Sequence, residues 1–182
     1  MTVWAALLRA VNVGGTGRLP MPQLREMLAG LGLRDVQTYI QSGNAVFRSD
    51  LDAETLSAQI GDAIAGRFGF RPPVVMLSQA ELEAALAANP FAALAQDARA
   101  QHAFCMDRPL TGAEFAAVSA AVVAGEALFT QGRVLWLHLP AGIGRSGVAR
   151  RAMGLKQPVT ARNLTTMLAI AALARTCAEH GI

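Results

Sequence analysis

The sequence predicts an α+β protein built in two parts. Residues 1–78 are predicted to form a βαββαβ unit, and residues 79–182 a second, looser α/β unit that ends in helices. Two observations carry this prediction. Strand-like and helix-like segments follow one another in the order β-α-β-β-α-β through the first part, and a weaker version of that order follows. The composition also indicates a folded core, because 53% of the 182 residues are hydrophobic and only 16% are charged.

The chain opens with an apolar strand and a helix. Val3 to Ala10 is nearly all apolar, which is typical of a central strand covered on both faces. A glycine-bearing loop follows over residues 11–20. Pro22 favours the first turn of a helix, and Gly32 favours its end.

A hairpin, a long helix and an edge strand complete the first part. Segments 36–40 and 45–47 are rich in β-forming residues, and the polar turn 41–44 separates them. Asp52 is predicted to cap the long helix that follows. A short strand that starts at Pro73 ends the unit, and its prolines favour an edge position.

This element order predicts the split βαβ arrangement of ferredoxin-like folds. In that arrangement the first two strands are parallel, and the third lies antiparallel between them. The loop after the first strand and the turn after the second should therefore leave the same end of the sheet. That end is the candidate ligand site.

The second part repeats the order less clearly, which makes a degenerate duplication plausible. Thr160 is predicted to cap the last helix, and Arg162 would then lie in its first turn. The helix dipole disfavours cations there, so the position indicates a bound anion or an acidic partner within the protein. Nearby cations make the region basic, with a solvated basic face as the favoured alternative: Arg145, Arg150, Arg151 and Lys156.

The predicted ligand-binding residues are those whose polar groups or glycine backbones could meet an anion: Arg9, Asn12, Gly14, Gly15, Ser42, Gly43, Asn44, Arg162 and Asn163. Most of them have a structural alternative. Arg9 could instead pair with a carboxylate such as Asp35, and Asn12 could simply hold its loop through an Asx-type bond. The glycines and the Ser42 segment could serve only as turns.

The common catalytic and cofactor motifs are absent. The sequence contains no P-loop, no dinucleotide-binding glycine fingerprint and no nucleophile elbow, so catalytic residues stay unassigned and no cofactor is expected. Cys105 and Cys177 lie far apart and outside any Cys/His cluster, which predicts no metal site. We expect reduced, unlinked thiols and a cytoplasmic monomer. No apolar run approaches the roughly 20 residues that span a bilayer, so no membrane association is expected.

Four segments resemble a known family. They are Leu7–Gly15 (LLRAVNVGG), Thr38–Phe47 (TYIQSGNAVF), Asn89-Pro90-Phe91 and Thr160–Asn163 (TARN). Together they resemble the bacterial family catalogued as domain of unknown function 1697. The family pattern has glycine at the position of Ala10, and an aromatic residue, usually tryptophan, at that of Leu164. The resemblance implies a two-part α+β fold built around ferredoxin-like units, and it implies no particular activity.

Three function hypotheses follow from the residues. The first is binding of a small anionic ligand, a nucleotide or a phosphorylated metabolite, with any reaction unassigned. The second is an RNA- or DNA-binding module, for which only Tyr39 and Phe47 offer aromatic rings in the hairpin strands. The net charge of +3 is small for that role. The third is a structural or protein-interaction domain.

Overall fold

The structure is a computed structural model that describes residues 1–15, 17–94 and 98–179. It contains eight strands and six α-helices in these ranges, with one 3₁₀ turn at Ile143–Arg145. The elements in chain order are β1 (Thr2–Leu8), α1 (Met21–Gly30), β2 (Arg34–Tyr39), β3 (Asn44–Ser49), α2 (Ala53–Phe68), β4 (Val74–Ser78), α3 (Gln79–Ala87), β5 (Gln101–Met106), α4 (Gly112–Ser119), β6 (Ala127–Gln131), β7 (Val134–His138), α5 (Gly147–Met153), β8 (Val159–Asn163) and α6 (Leu164–Glu179).

The chain divides into two compact units. Unit 1 comprises residues 1–82 and the chain from residue 169 onward, and unit 2 comprises residues 83–168. Each unit carries an antiparallel four-stranded sheet, with strand orders β2-β3-β1-β4 and β6-β7-β5-β8. Both are the split βαβ order, so the prediction of an α+β protein with a ferredoxin-like first unit is confirmed.

In unit 1, β1 pairs with β3 and β4, and β2 pairs with β3, always antiparallel. Consequently β1 and β2 run in the same direction, as predicted. Helices α1 and α2 bury their apolar stripes against one face of this sheet. Asp52 caps α2 through Thr55 N–H at 2.8 Å, and Gly69 ends it with a left-handed φ of 75°. The core on this face includes Leu24, Leu28, Leu56, Ile60 and Ile64 from the helices and Ala6, Leu8 and Phe47 from the sheet.

Unit 2 is more regular than predicted, because it contains a strand that the sequence pattern missed. Val159–Asn163 forms β8, which pairs with β5 and places Thr160 opposite Cys105 and Arg162 opposite Ala103. The prediction that Thr160 caps the last helix was therefore wrong. Helix α6 begins at Leu164, and Asn163 Oδ1 accepts from Thr166 N–H at 2.8 Å. Five residues beside a strong helical pattern carry little local signal, and pairing with β5 decides their conformation.

The Asn89-Pro90-Phe91 triplet has a structural role in unit 2. Asn89 is buried and donates from Nδ2 to Oε1 of the fully buried Gln101 at 2.9 Å. Asn89 Oδ1 in turn accepts from Phe91 N–H at 3.0 Å. A buried amide needs such partners, so this pair explains the triplet without a ligand.

Both cysteines are free and buried, Cys105 in unit 2 and Cys177 in unit 1. Burial raises the pKa of Cys105 to about 12, which keeps it a neutral thiol. Within the described ranges, no three His, Cys, Asp or Glu side chains gather as they would around a metal ion. None of the described helices combines the length and the apolar character needed to cross a membrane.

Candidate functional site

The loop after β1 and the β2–β3 turn lie side by side at one end of the unit 1 sheet, as the topology predicted. Leu8 N–H donates to Gly43 O at 2.8 Å, which joins the end of β1 to the turn. Asn12 Nδ2 donates to Gln41 O at 2.7 Å, which joins the loop to the same turn. Residues about thirty positions apart in sequence thus form one surface. We call this surface, formed by residues 9–15, 17–18 and 40–43, the loop end.

Asn12 organises the loop end. Its Oδ1 accepts from Leu19 N–H at 2.8 Å, and its Nδ2 donates to Leu19 O at 2.8 Å as well as to Gln41 O. Its own N–H donates to Gly17 O at 2.9 Å. Both hydrogens of the side-chain amide are therefore engaged, which matches the alternative that Asn12 holds its loop.

The backbone of the loop end is unusually rich in left-handed conformations. Positive φ occurs at Ala10, Asn12 and Ile40, and also at Gly14, Gly15, Gly17 and Gly43. A Cβ at Gly43 would lie 2.4 Å from Val11 Cγ2, and one at Gly17 would lie 2.6 Å from Ala10 O. A Cβ at Gly14 or Gly15 would meet nothing within 4 Å. Gly17 and Gly43 therefore permit close packing, whereas Gly14 and Gly15 face open space.

The hairpin residues differ in their availability. Asn44 is the first residue of β3 and is fully buried, and its Nδ2 donates to Tyr39 O and to Ser42 Oγ, both at 3.0 Å. Gly43 is also buried, while Ser42 is half-buried. Asn44 and Gly43 thus build the turn, and Ser42 remains partly accessible at its surface.

Arg9 follows β1 rather than lying within it, since the strand ends at Leu8 and not at Ala10 as predicted. Its N–H donates to Pro73 O at 2.9 Å, and the residue is half-buried. Asp35, the suggested carboxylate partner, pairs instead with Arg48 at 3.1 Å. Among the described residues, no carboxylate pairs with Arg9.

Arg162 and Asn163 belong to unit 2 and serve the structure there. Arg162 lies on β8 and is only 9% exposed, and its Nη1 donates to Thr160 Oγ1 at 2.7 Å and to Ala161 O at 2.9 Å. Burial lowers the pKa of its guanidinium. The predicted position in the first turn of a helix was wrong, and the dipole argument for an anion at Arg162 fails with it.

Unit 2 also contains a feature that the sequence reasoning missed, a cleft of about 650 Å³ between α4 and α5. Its lining includes the alanines at positions 113, 117 and 121 and the cations Arg150, Arg151 and Lys156. The sequence held a signal for it in the four-residue spacing of the alanines and in the cations noted as a basic region. Only the packing of α4 beside α5 joins those two patterns.

Comparison with known proteins agrees with this architecture. The model of the family described as "Protein of unknown function (DUF1697)" matches residues 1–136. The chain belongs to this family. A solved structure of a conserved bacterial protein from Streptococcus pneumoniae is similar to it, with 26% identity and a TM-score of 0.76 over 95% of this chain and 98% of that one. A search of the curated proteins finds no match. Membership of DUF1697 thus describes the fold and assigns no reaction.

Proposed function

We propose that this protein binds a small anionic ligand, a nucleotide or a phosphorylated metabolite, at the loop end of unit 1. The observation that carries the proposal is Arg9, a half-buried cation that no described carboxylate neutralises. A partly desolvated guanidinium gains most from a bidentate anion such as phosphate. The exposed Arg18 lies on the same loop and adds a second positive charge.

The loop backbone supports the same ligand. Gly14 and Gly15 have φ of 61° and 78°, and backbone N–H groups in such turns form concavities that hold anions. Because Asn12 ties the loop to Leu19 and Gln41, the loop backbone is held in place before a ligand arrives. In this proposal Arg9, Gly14, Gly15 and Ser42 contact the ligand. Asn12, Gly43 and Asn44 build the frame.

The nucleic-acid hypothesis finds less support. A sheet that binds RNA offers exposed aromatic rings on an open face. Phe47 is fully buried in the core beneath α1 and α2. On the opposite face of β1, Val3, Ala5 and Leu7 are buried as well. Neither face therefore offers such a platform in the strand that runs through the centre of the sheet.

The test is a calorimetric and thermal-shift titration with AMP and with inorganic phosphate. A ligand at 100 times its Kd raises the free energy of unfolding by about 2.7 kcal/mol. Arg9→Ala should weaken binding by about 1.5–3 kcal/mol, the range for a hydrogen bond to a charged group. Arg34→Ala is the matched control, because Arg34 is exposed at the opposite end of the same sheet.

The apo variants separate a ligand site from a structural ion pair. Without a carboxylate partner, Arg9→Ala should leave the denaturation midpoint near that of the wild type. A loss of roughly 3–5 kcal/mol would instead reveal a buried pair and overturn the proposal. So would the absence of any stabilisation by either AMP or phosphate.

A further inference from the structure

The second unit carries a cleft that the loop end does not involve, and we propose that it is a separate binding site for an organic phosphate with an aromatic or aliphatic body. The cleft lies between α4 and α5, entirely within unit 2, and has a volume of about 650 Å³. Small-molecule sites usually measure about 300–1,000 Å³. The lining has two parts, an apolar floor and a cationic rim.

The cleft is open above its apolar floor because the side chains that form the floor are small. Ala113, Ala117 and Ala121 recur every four positions, so they lie on one stripe of α4 and its C-terminal extension. Gly147 and Gly154 bound α5 on the opposite side, and Leu155 adds an apolar wall. Larger side chains at these positions would close the space between the two helices, so the present residues leave room for a flat or aliphatic group.

The lengths of the helices contribute to the same opening. Helix α5 has 7 residues, whereas α2, which occupies the corresponding place in the element order of unit 1, has 16. Helix α4 has 8 residues, and its counterpart α1 has 10. Short helices cover less of the sheet, which leaves room for a recess beside them in unit 2.

The rim determines the charge of the ligand. Arg150, Arg151 and Lys156 line the cleft, are exposed, and form no ion pair with any residue that the structure describes. Arginines and a lysine together suit a phosphate, because guanidinium binds it bidentately and ammonium adds a point charge. A ligand with a single carboxylate would need fewer than three cations, so the number of cations on the rim also favours a phosphate.

Glu114 also lines the cleft, yet it does not oppose an anion there. Its carboxylate accepts from Arg108 Nη1 and Nη2 at 2.7 and 2.8 Å, and its Oε2 accepts from Thr111 N–H at 2.9 Å. These bonds hold Glu114 against the N-terminus of α4 in a capping box. Since Arg108 balances this carboxylate, the three rim cations keep their positive field over the apolar floor.

The experiment is an amide ¹H–¹⁵N NMR titration of the full chain with AMP, adenosine and inorganic phosphate. AMP should shift the amides of Ala117, Gly147 and Gly154, and adenosine should bind about tenfold or more weakly because it lacks the phosphate. Arg151→Ala should weaken AMP binding by a similar factor. Arg145→Ala is the matched control, since Arg145 is exposed nearby but does not line the cleft.

A second pair of variants tests the floor independently of charge. Ala117→Leu fills the recess and should abolish the AMP-induced shifts, whereas Ala116→Leu on the exposed side of the same helix should preserve them. Unshifted cleft amides in saturating AMP would overturn the proposal, as would equal binding of adenosine and AMP. Shifts at Gly14 and Gly15 report the loop end separately, so either site can fail without the other.

Discussion

Substitution of Gly43 by alanine tests how the loop end is packed. Replacing it with alanine would place a Cβ 2.4 Å from Val11 Cγ2 and 2.9 Å from Leu8 Cβ, at a buried position with φ of +75°. The left-handed conformation costs a residue with a Cβ about 1–2 kcal/mol. Overpacking of a tight contact adds about 1–3 kcal/mol. Gly43→Ala should therefore lower the free energy of unfolding by about 2–5 kcal/mol.

Gly14→Ala is the matched control for that value. Gly14 has a similar φ of +61°, but a Cβ there would meet nothing within 4 Å. Gly14→Ala should lower the free energy of unfolding only by the cost of the left-handed conformation, about 1–2 kcal/mol. Urea denaturation followed by circular dichroism measures both losses. Equal losses at Gly43 and Gly14 would refute the packing argument, because the Cβ contacts with Val11 and Leu8 would then contribute nothing.

A double variant identifies the contact responsible. Val11→Ala removes the Cγ2 atom that the new Cβ would approach most closely. Gly43→Ala should consequently cost less in the Val11→Ala background than in the wild type. If the two losses simply add, the strain arises elsewhere in the turn.

Four further predictions concern other parts of the chain. Ala10→Gly should stabilise the protein by about 0.5–1 kcal/mol in urea denaturation, because relief of the left-handed φ of 57° exceeds the entropic cost of glycine. Arg162→Ala should cost about 2–4 kcal/mol through lost buried hydrogen bonds, and a slight stabilisation would restore the helix-terminus interpretation. The hydrogen bonds from Arg108 hold the pKa of Glu114 at about 2, below the ordinary 4.5. The pair therefore stabilises the folded state fully above about pH 4.5, and this stabilisation is lost as the pH falls toward 2. Arg108→Gln should raise that pKa in a carboxyl ¹³C titration. Both cysteines should resist alkylation in the native protein and show no intramolecular disulfide on a non-reducing gel, whereas rapid modification of Cys105 would contradict its burial.

Much of the fold could be predicted from sequence because its signals are local. The apolar stripe of α2, the cap at Asp52 and the left-handed stop at Gly69 lie within one helix and need no knowledge of its neighbours. The hairpin between β2 and β3 is equally local. Once those elements were in order, topology alone placed the loop after β1 beside the turn at Gly43.

The wrong predictions concern residues whose environment depends on segments that are distant in the sequence. Val159–Asn163 becomes a strand because β5, more than fifty residues earlier, supplies its hydrogen-bonding partners. That pairing buries Arg162, which the local pattern had put at an exposed helix start. Likewise the sequence suggested Asp35 as a partner for Arg9, but strand pairing decides its partner, because β2 and β3 place Asp35 near Arg48.

The sequence by itself determined the element types and their order in unit 1, and the end of the sheet at which the two loops meet, since periodicity, caps and strand direction are properties of short segments. Only the tertiary structure decided which polar groups remain available. It engages Asn12 and Asn44 in the frame of the loop end, leaves Arg9 without a described carboxylate, and opens a recess between α4 and α5. The physical reason is that desolvation and hydrogen bonding depend on every neighbour in space, and those neighbours come from all parts of the chain.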